Sequence, residues 1–227
     1  MEFRINSLNR AMILRFLGAG NVTAETDAES EKRLQAQIDY CEEEVLSAIR
    51  PRAVHRIFKL TDGHIPDLEL PGRDIARLLE GCHEAVIMAL TLGAALEKRL
   101  MREEVTDMAN AVIMDACASC AVELAADQYE ENLRSEIMKS GRFLTNRFSP
   151  GYGDLPLSVQ RPILEAVNAG RAIGLTLTPT NLMVPRKSIT AILGISRRPH
   201  DRVMGGCSHC PVYSKCAWRA QGTRCYE

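Results

Sequence analysis

Residues 107–139 read DMANAVIMDACASCAVELAADQYEENLRSEIMK and form the longest helical pattern in the chain. The middle of this pattern, residues 111–126, is almost entirely small or apolar, which predicts a helix buried in the core. The polar exceptions are Asp115, Ser119 and Glu123. Because they are spaced four residues apart, they lie in one narrow stripe along the helix. The stripe is either the solvated edge of a core helix or the wall of a ligand cleft.

Shorter patterns surround this helix. Apolar periodicity predicts further helices, over residues 7–18, 28–50, 74–79, 93–101 and 157–169, the last ended by Gly170. Apolar and alternating runs predict strands over residues 53–60 and 83–92, and one or two strands within 182–195. No strand-to-helix turn carries a glycine fingerprint, which argues against a doubly wound nucleotide-binding fold. The predicted fold class is α+β, with helices packed on a twisted, mainly antiparallel sheet and an irregular, metal-clipped C-terminal tail.

Composition excludes several classes of protein. The 227 residues are 46% hydrophobic and 25% charged, with a formal net charge of −1, as in an ordinary globular protein. A chain with no strong field of one sign is not expected to bind nucleic acid or a membrane surface. The apolar run at residues 85–96 is shorter than the roughly 20 residues that a membrane-spanning helix needs. Since the N-terminus also lacks an apolar signal core, we expect a cytoplasmic protein.

Four of the eight cysteines crowd into the end of the chain, at Cys207, Cys210, Cys216 and Cys225. In a reducing compartment this spacing indicates a metal site. Binding of a metal would also supply folding energy to a tail that has little apolar content. Structural zinc usually takes two close cysteine pairs, and only one pair is close here, so the spacing favours a 4Fe–4S cluster, with zinc as the alternative.

Residues 147–156 read RFSPGYGDLP and predict a rigid elbow. The proline fixes its own φ and pushes Ser149 into an extended conformation, while Gly151 permits a positive φ and a close ligand approach. Arg147 supplies a planar fork that matches a carboxylate, and Tyr152 supplies a flat face suited to a purine or a ribose. The alternative is an ordinary Pro-Gly turn beside a surface arginine.

The elbow resembles the Arg-x-x-Pro-Gly-Tyr motif in the activation domain of cobalamin-dependent methionine synthase, a motif that in the family contributes to the S-adenosylmethionine pocket. Further segments are similar to the same family, at residues 13–18, 91–93, 116–125 and 177–185, followed by Ser188. The resemblance covers about residues 10–195. The family's late tyrosine-containing strand has no counterpart after Ile195, where the cysteine-rich tail stands.

Two domains are expected. The resemblance implies that residues 1–195 are an S-adenosylmethionine-binding activation-type domain, whereas the cysteine spacing predicts that residues 196–227 are a cysteine-rich metal-binding tail. The resemblance also implies a ligand site in which Arg147 neutralises the ligand carboxylate and Glu123 faces the positive end of the ligand. Ser149, Gly151 and Tyr152 would complete this site.

The function implied by the resemblance is reductive remethylation, or reactivation, of the cobalamin cofactor of methionine synthase in trans. The partner core would supply the cobalamin, and flavodoxin or ferredoxin would supply electrons. The cysteine spacing, and not the family resemblance, suggests a 4Fe–4S cluster in the tail as the point where the electrons enter. The protein alone would be inactive without its corrinoid partner. Two alternatives stay open: a reactivator of another corrinoid methyltransferase, and a non-catalytic, zinc-containing interaction protein.

Overall fold

The computed structural model describes residues 3–18, 28–199 and 213–215. It has the predicted α+β class, with helices and an antiparallel sheet. The four C-terminal cysteines, and with them the predicted metal-clipped tail, lie outside the described residues. Within that tail, the described part includes a single 3-10 turn, Tyr213–Lys215.

The helices are α1 Arg10–Phe16, α2 Ala28–Ala48, α3 Arg73–Leu79, α4 Ala94–Thr106, α5 Met108–Met138, α6 Gln160–Ala166 and α7 Ala169–Ile173. The strands are β1 Arg52–Lys59, β2 Cys82–Thr91, β3 Phe143–Leu144, β4 Thr176–Leu177, β5 Met183–Val184 and β6 Ser188–Ser196. Their positions confirm nearly all the elements predicted from periodicity.

The prediction is wrong for the C-terminal end of one helix. Residues 157–169 were expected to form a single helix stopped by Gly170, but the segment is a 3-10 turn followed by α6, which ends at Ala166. Asn168 adopts a left-handed conformation, with φ of 52°, and α7 starts at the next residue and runs through Gly170. The left-handed asparagine breaks the helix, because asparagine tolerates this conformation better than most residues.

The main sheet has four strands in the order β1-β2-β6-β3. Strands β1 and β2 are antiparallel, since Arg50 N donates to Leu92 O at one end (2.8 Å) and Leu60 N donates to His83 O at the other (2.9 Å). β3 is antiparallel to β6, with Phe143 opposite Ser196. The central strands β2 and β6 are almost continuously buried, as their apolar runs predict. A separate antiparallel ribbon joins β4 and β5.

A single residue separates α4 from α5. Asp107 has an extended backbone, with φ of −152° and ψ of 99°, which interrupts the helical hydrogen bonds. Its carboxylate then accepts a hydrogen bond from Asn110 N at 3.1 Å, at the start of α5. An aspartate in this place satisfies one of the N–H groups that a helix start leaves without a partner.

Helix α5 is long and apolar enough, by length and composition alone, to cross a membrane. However, 56% of its most apolar window is buried inside the protein. Cys117, Ala118, Cys120 and Ala121 in its middle are fully buried. This burial is typical of the core helix of a soluble protein.

The chain divides into two compact units. Unit 1 comprises Met1–Val54, Ala89–Glu131 and Asn168–Ile189. In this unit α2 packs on α4, and Arg99 of α4 forms an ion pair with Glu44 (2.6 Å) and donates a hydrogen bond to Tyr40 (3.0 Å). The thiol of Cys41 lies 3.5 Å from the carbonyl of Asn110, which ties α2 to α5.

Unit 2 comprises His55–Met88, Asn132–Val167 and Thr190–Glu227. Here Arg134, near the end of α5, donates to the carbonyl oxygens of Leu144 and, at 3.2 Å, Thr145. The Thr145 hydroxyl in turn accepts from Gly194 N at 2.8 Å. These bonds hold the residues that lead from β3 into the elbow.

Candidate functional site

The elbow at residues 147–156 is a closed turn attached to the sheet. Phe148 exchanges two backbone hydrogen bonds of 2.9 Å with Ile192 of β6. Beyond it, Gly151 N donates to Leu155 O (2.8 Å) and Tyr152 N donates to Ser149 O (3.1 Å). Gly151 has a φ of 90°, so the glycine is used as predicted, for a backbone conformation that other residues rarely adopt.

The predicted binding residues of the elbow differ in exposure. Tyr152 is 64% exposed, so its ring is available to a ligand. Arg147 and Ser149 are half-buried, so only part of each side chain is accessible to a ligand. Because this short turn fixes its own backbone, Arg147, Ser149, Gly151 and Tyr152 are held close together in unit 2.

A carboxylate at the end of the elbow holds the start of helix α3. Asp154 accepts hydrogen bonds from the backbone N–H groups of Arg73 (2.6 Å) and Asp74 (3.1 Å). These bonds, that of Arg73 first, lower the pKa of Asp154. The helix follows Gly72, which has no side chain to cap it, and Asp154 supplies the missing acceptor.

The remaining predicted ligand contact, Glu123, is half-buried on α5 in unit 1. The other members of its polar stripe are held by one lysine. Lys187 donates to Asp115 Oδ1 at 2.8 Å and to Ser119 Oγ at 2.9 Å. The side chain of Lys187 is only 15% exposed, whereas that of Asp115 is 51% exposed.

Two stripe residues, Asp115 and Ser119, line an open cleft of about 430 Å³ in unit 1. Apolar side chains, including Phe16 and Met108, form much of its wall. Arg186 also borders the cleft and forms ion pairs with Glu97 (2.6 Å) and Glu104 (2.8 Å). Asp115 and Ser119 therefore lie on a partly solvated edge of α5 that also forms one wall of the cleft.

Two segments of the family resemblance meet inside unit 1. Ser188 Oγ lies 2.9 Å from Thr91 Oγ1 and 2.7 Å from the carbonyl oxygen of Pro185. Thr91 Oγ1 also accepts from Gly93 N at 3.1 Å. Ser188 and Thr91 are both buried, so they join β2 to the start of β6 and have a structural role.

The four cysteines that the structure describes are buried free thiols: Cys41, Cys82, Cys117 and Cys120. Burial raises the pKa of Cys41 and Cys82 to about 11 and that of Cys117 to about 12. Thiols that stay protonated are poor nucleophiles and poor metal ligands. Within residues 3–18, 28–199 and 213–215, no group of three or more metal-ligating side chains occurs.

The link from Asp154 to α3 was not predicted from the sequence, and the sequence indicated the cleft in unit 1 only in part. A signal for the first was present, because α3 begins after a glycine that cannot cap it, which requires an acceptor from elsewhere in the chain. The polar stripe marked one wall of the cleft. The other residues that line it include Phe16 and Arg186, which lie far from the stripe in the sequence.

The fold is similar to that of a solved structure described as the MetH reactivation domain bound to AdoHcy. The TM-score is 0.58 and the identity is 15%, and the alignment covers 88% of this chain and 76% of that chain. No protein-family model matches this chain, and no curated protein matches it. The likeness to the MetH reactivation domain shows a similar fold.

Proposed function

We propose that this protein binds S-adenosylmethionine and supports reactivation of the cobalamin of a methionine synthase core in trans. The observation that carries the proposal is the combination of a fold similar to that of the reactivation domain with an elbow that is closed by backbone hydrogen bonds and carries Arg147 and Tyr152. AdoHcy, the ligand of the similar domain, is what S-adenosylmethionine becomes when it loses its methyl group.

The elbow residues have separate roles in this proposal. Arg147 pairs with the ligand carboxylate, because a guanidinium binds a carboxylate through two parallel hydrogen bonds. The exposed ring of Tyr152 packs against the adenosine, and Ser149 and Gly151 contribute polar and backbone contacts. Glu123 of unit 1 is proposed to face the cationic end of the ligand on the family resemblance alone.

The reaction itself takes place on the partner. One electron and the methyl group of S-adenosylmethionine convert the partner's Co(II) cobalamin into methylcobalamin, and S-adenosylhomocysteine remains. The contribution of this chain is to bind the methyl donor in a fixed orientation, which is an effect of proximity. Accordingly, we propose a cytoplasmic protein that depends on a corrinoid partner and on an electron donor such as flavodoxin or ferredoxin.

Calorimetric titration with S-adenosylmethionine tests the binding step. We expect Arg147→Ala to weaken binding by at least about tenfold, the effect of losing one charged hydrogen-bond pair. The control is Arg77→Ala, an exposed arginine of the same unit, which should bind as the wild type does. Equal affinity of the Arg147→Ala variant and the wild type would contradict a ligand site at the elbow.

The reactivation step is tested with an inactive Co(II) methionine synthase core. Wild-type protein, S-adenosylmethionine and a reductant should convert the cobalt spectrum to that of methylcobalamin, and Arg147→Ala should slow this conversion. If the wild-type protein binds the ligand but leaves this core unchanged, another corrinoid methyltransferase becomes the partner to test.

The C-terminal tail is proposed to bind a metal through Cys207, Cys210, Cys216 and Cys225, as a 4Fe–4S cluster or as zinc. The four described cysteines are buried thiols with raised pKa values, which leaves this role to the tail. Anaerobic purification should give a brown protein with iron and acid-labile sulfide. A colourless protein with one zinc per chain would exclude the cluster and favour the zinc-containing alternative.

A further inference from the structure

The elbow is tied to a helix that lies far from it in the sequence. Asp154 and its partners Arg73 and Asp74 are separated by 81 and 80 positions, yet both backbone N–H groups donate to the Asp154 carboxylate. Each carboxylate oxygen accepts one of the two hydrogen bonds. Hydrogen bonds to an ionised acceptor are stronger than those between neutral groups, and here two of them connect the exposed Asp154 carboxylate to the start of α3.

Glycines on both sides of the contact allow the close approach. A side chain at Gly72 would place its first carbon 2.7 Å from Asp154 Oδ1. A side chain at Gly153 would collide with the Asp74 carboxylate, and it would lie 3.3 Å from the Phe148 ring. Both glycines have positive φ values, of 140° and 52°, which other residues rarely adopt. A side chain at either position would therefore require the Asp154 or Asp74 carboxylate to move and would disturb the contact between the elbow and the start of α3.

We propose that Asp154 is a positioning residue for the ligand site at the elbow, an inference that rests on the proposed function. Asp154 lies between Tyr152 and Leu155, and both of these residues take part in the hydrogen bonds that close the turn. Holding Asp154 on α3 therefore fixes the backbone on either side of it. The attachment keeps the exposed ring of Tyr152 and the Gly151 backbone in the orientation that the ligand needs.

Hydrogen–deuterium exchange of the full chain, without ligand, tests the attachment. Asp154→Ala should speed exchange in peptides covering residues 72–76 and 149–156 by about 2- to 30-fold, the factor for the usual loss of a helix N-cap. Asp154→Asn should have a smaller effect, because its amide oxygen still accepts a hydrogen bond. The control is Glu69→Ala, an exposed carboxylate of the same unit. Exchange in Asp154→Ala equal to that of the wild type would overturn the inference.

Calorimetric titration with S-adenosylmethionine then tests positioning. We expect Asp154→Ala to weaken binding about tenfold and Asp154→Asn by no more than about threefold, with far-UV circular dichroism unchanged in both. Faster exchange with unchanged affinity would overturn the role of Asp154 in the site. If the wild-type protein binds no S-adenosylmethionine, the proposed function fails, whereas the exchange comparison still decides whether Asp154 holds the elbow.

Discussion

Tyr152 provides most of the exposed surface of the elbow that suits a flat ligand. Its ring is 64% exposed, although aromatic side chains bury large areas when they serve the core. The backbone N–H of the same residue is used within the turn, so the side chain is free to change without loss of the turn bonds. The proposed binding role of the Tyr152 ring can therefore be tested separately from its contribution to stability.

We predict that Tyr152→Ala weakens S-adenosylmethionine binding about tenfold, whereas Tyr152→Phe retains most of it, because stacking depends on the ring. Neither substitution should change the free energy of unfolding by more than about 0.5 kcal/mol, as is usual for exposed sites. Calorimetry and urea denaturation measure the two quantities. Met138→Ala, which alters an exposed side chain of the same unit, serves as the control. A large loss of stability in Tyr152→Ala would show that the ring has a structural role instead.

At the scale of elements, Lys187, the residue before β6, bonds to two side chains of α5. Lys187 bonds to both Asp115 and Ser119, and its side chain is 15% exposed. The adjacent Arg186 makes ion pairs with Glu97 and Glu104 of α4. Because Lys187 is nearly buried and Asp115 is half-exposed, we expect the Lys187–Asp115 ion pair to contribute more than a surface ion pair and less than a buried one.

We predict that Lys187→Met lowers the free energy of unfolding by about 1 to 2 kcal/mol, since it removes a partly buried charge pair while keeping the apolar length of the side chain. Lys98→Met on the exposed face of α4 is the matched control, and it should change the free energy by less than about 0.5 kcal/mol. Urea denaturation followed by circular dichroism gives both values. Equal stability of the two variants would mean that the bonds of Lys187 to Asp115 and Ser119 do not contribute to the free energy of unfolding.

At the scale of the whole molecule, the buried thiols are expected to lower the free energy of unfolding at alkaline pH. The pKa of Cys117 is raised from the ordinary value of 9.0 to about 12, by burial first, and that of Cys41 to about 11. A folded-state pKa above the unfolded one means that stability is complete below about pH 9, where the thiols are protonated in both states. It is then lost as pH rises from about 9 to 12, because only the unfolded chain releases these protons.

We therefore predict that the free energy of unfolding, measured by urea denaturation, decreases as the pH is raised from about 8.5 to about 10.5, by at most about 1.4 kcal/mol per pH unit for each thiol. Cys117→Ala should have a shallower slope, because one of these groups is gone. Wild type and variant losing stability in parallel would show that other groups, such as lysines and tyrosines, govern the alkaline transition.

Most elements of the fold were predictable from the sequence. The period of apolar residues predicted α5 nearly to its ends, and it also predicted α2 and the buried strands β2 and β6. The break at Asn168 was not predicted, because a left-handed residue inside a helical pattern leaves the apolar period intact. Such a break depends on local backbone geometry, which periodicity does not report.

The sequence by itself determined the α+β class, the core helix with its polar stripe, and an elbow in which proline and glycine leave the backbone few conformations. These are local properties, since propensity and periodicity act over neighbouring residues. Only the tertiary structure decided that Asp154 holds the start of α3, that Lys187 binds the stripe, and that Asp115 and Ser119 line a cleft. Each of these contacts joins residues some 70 to 100 positions apart, and such pairs are brought together by the packing of whole elements.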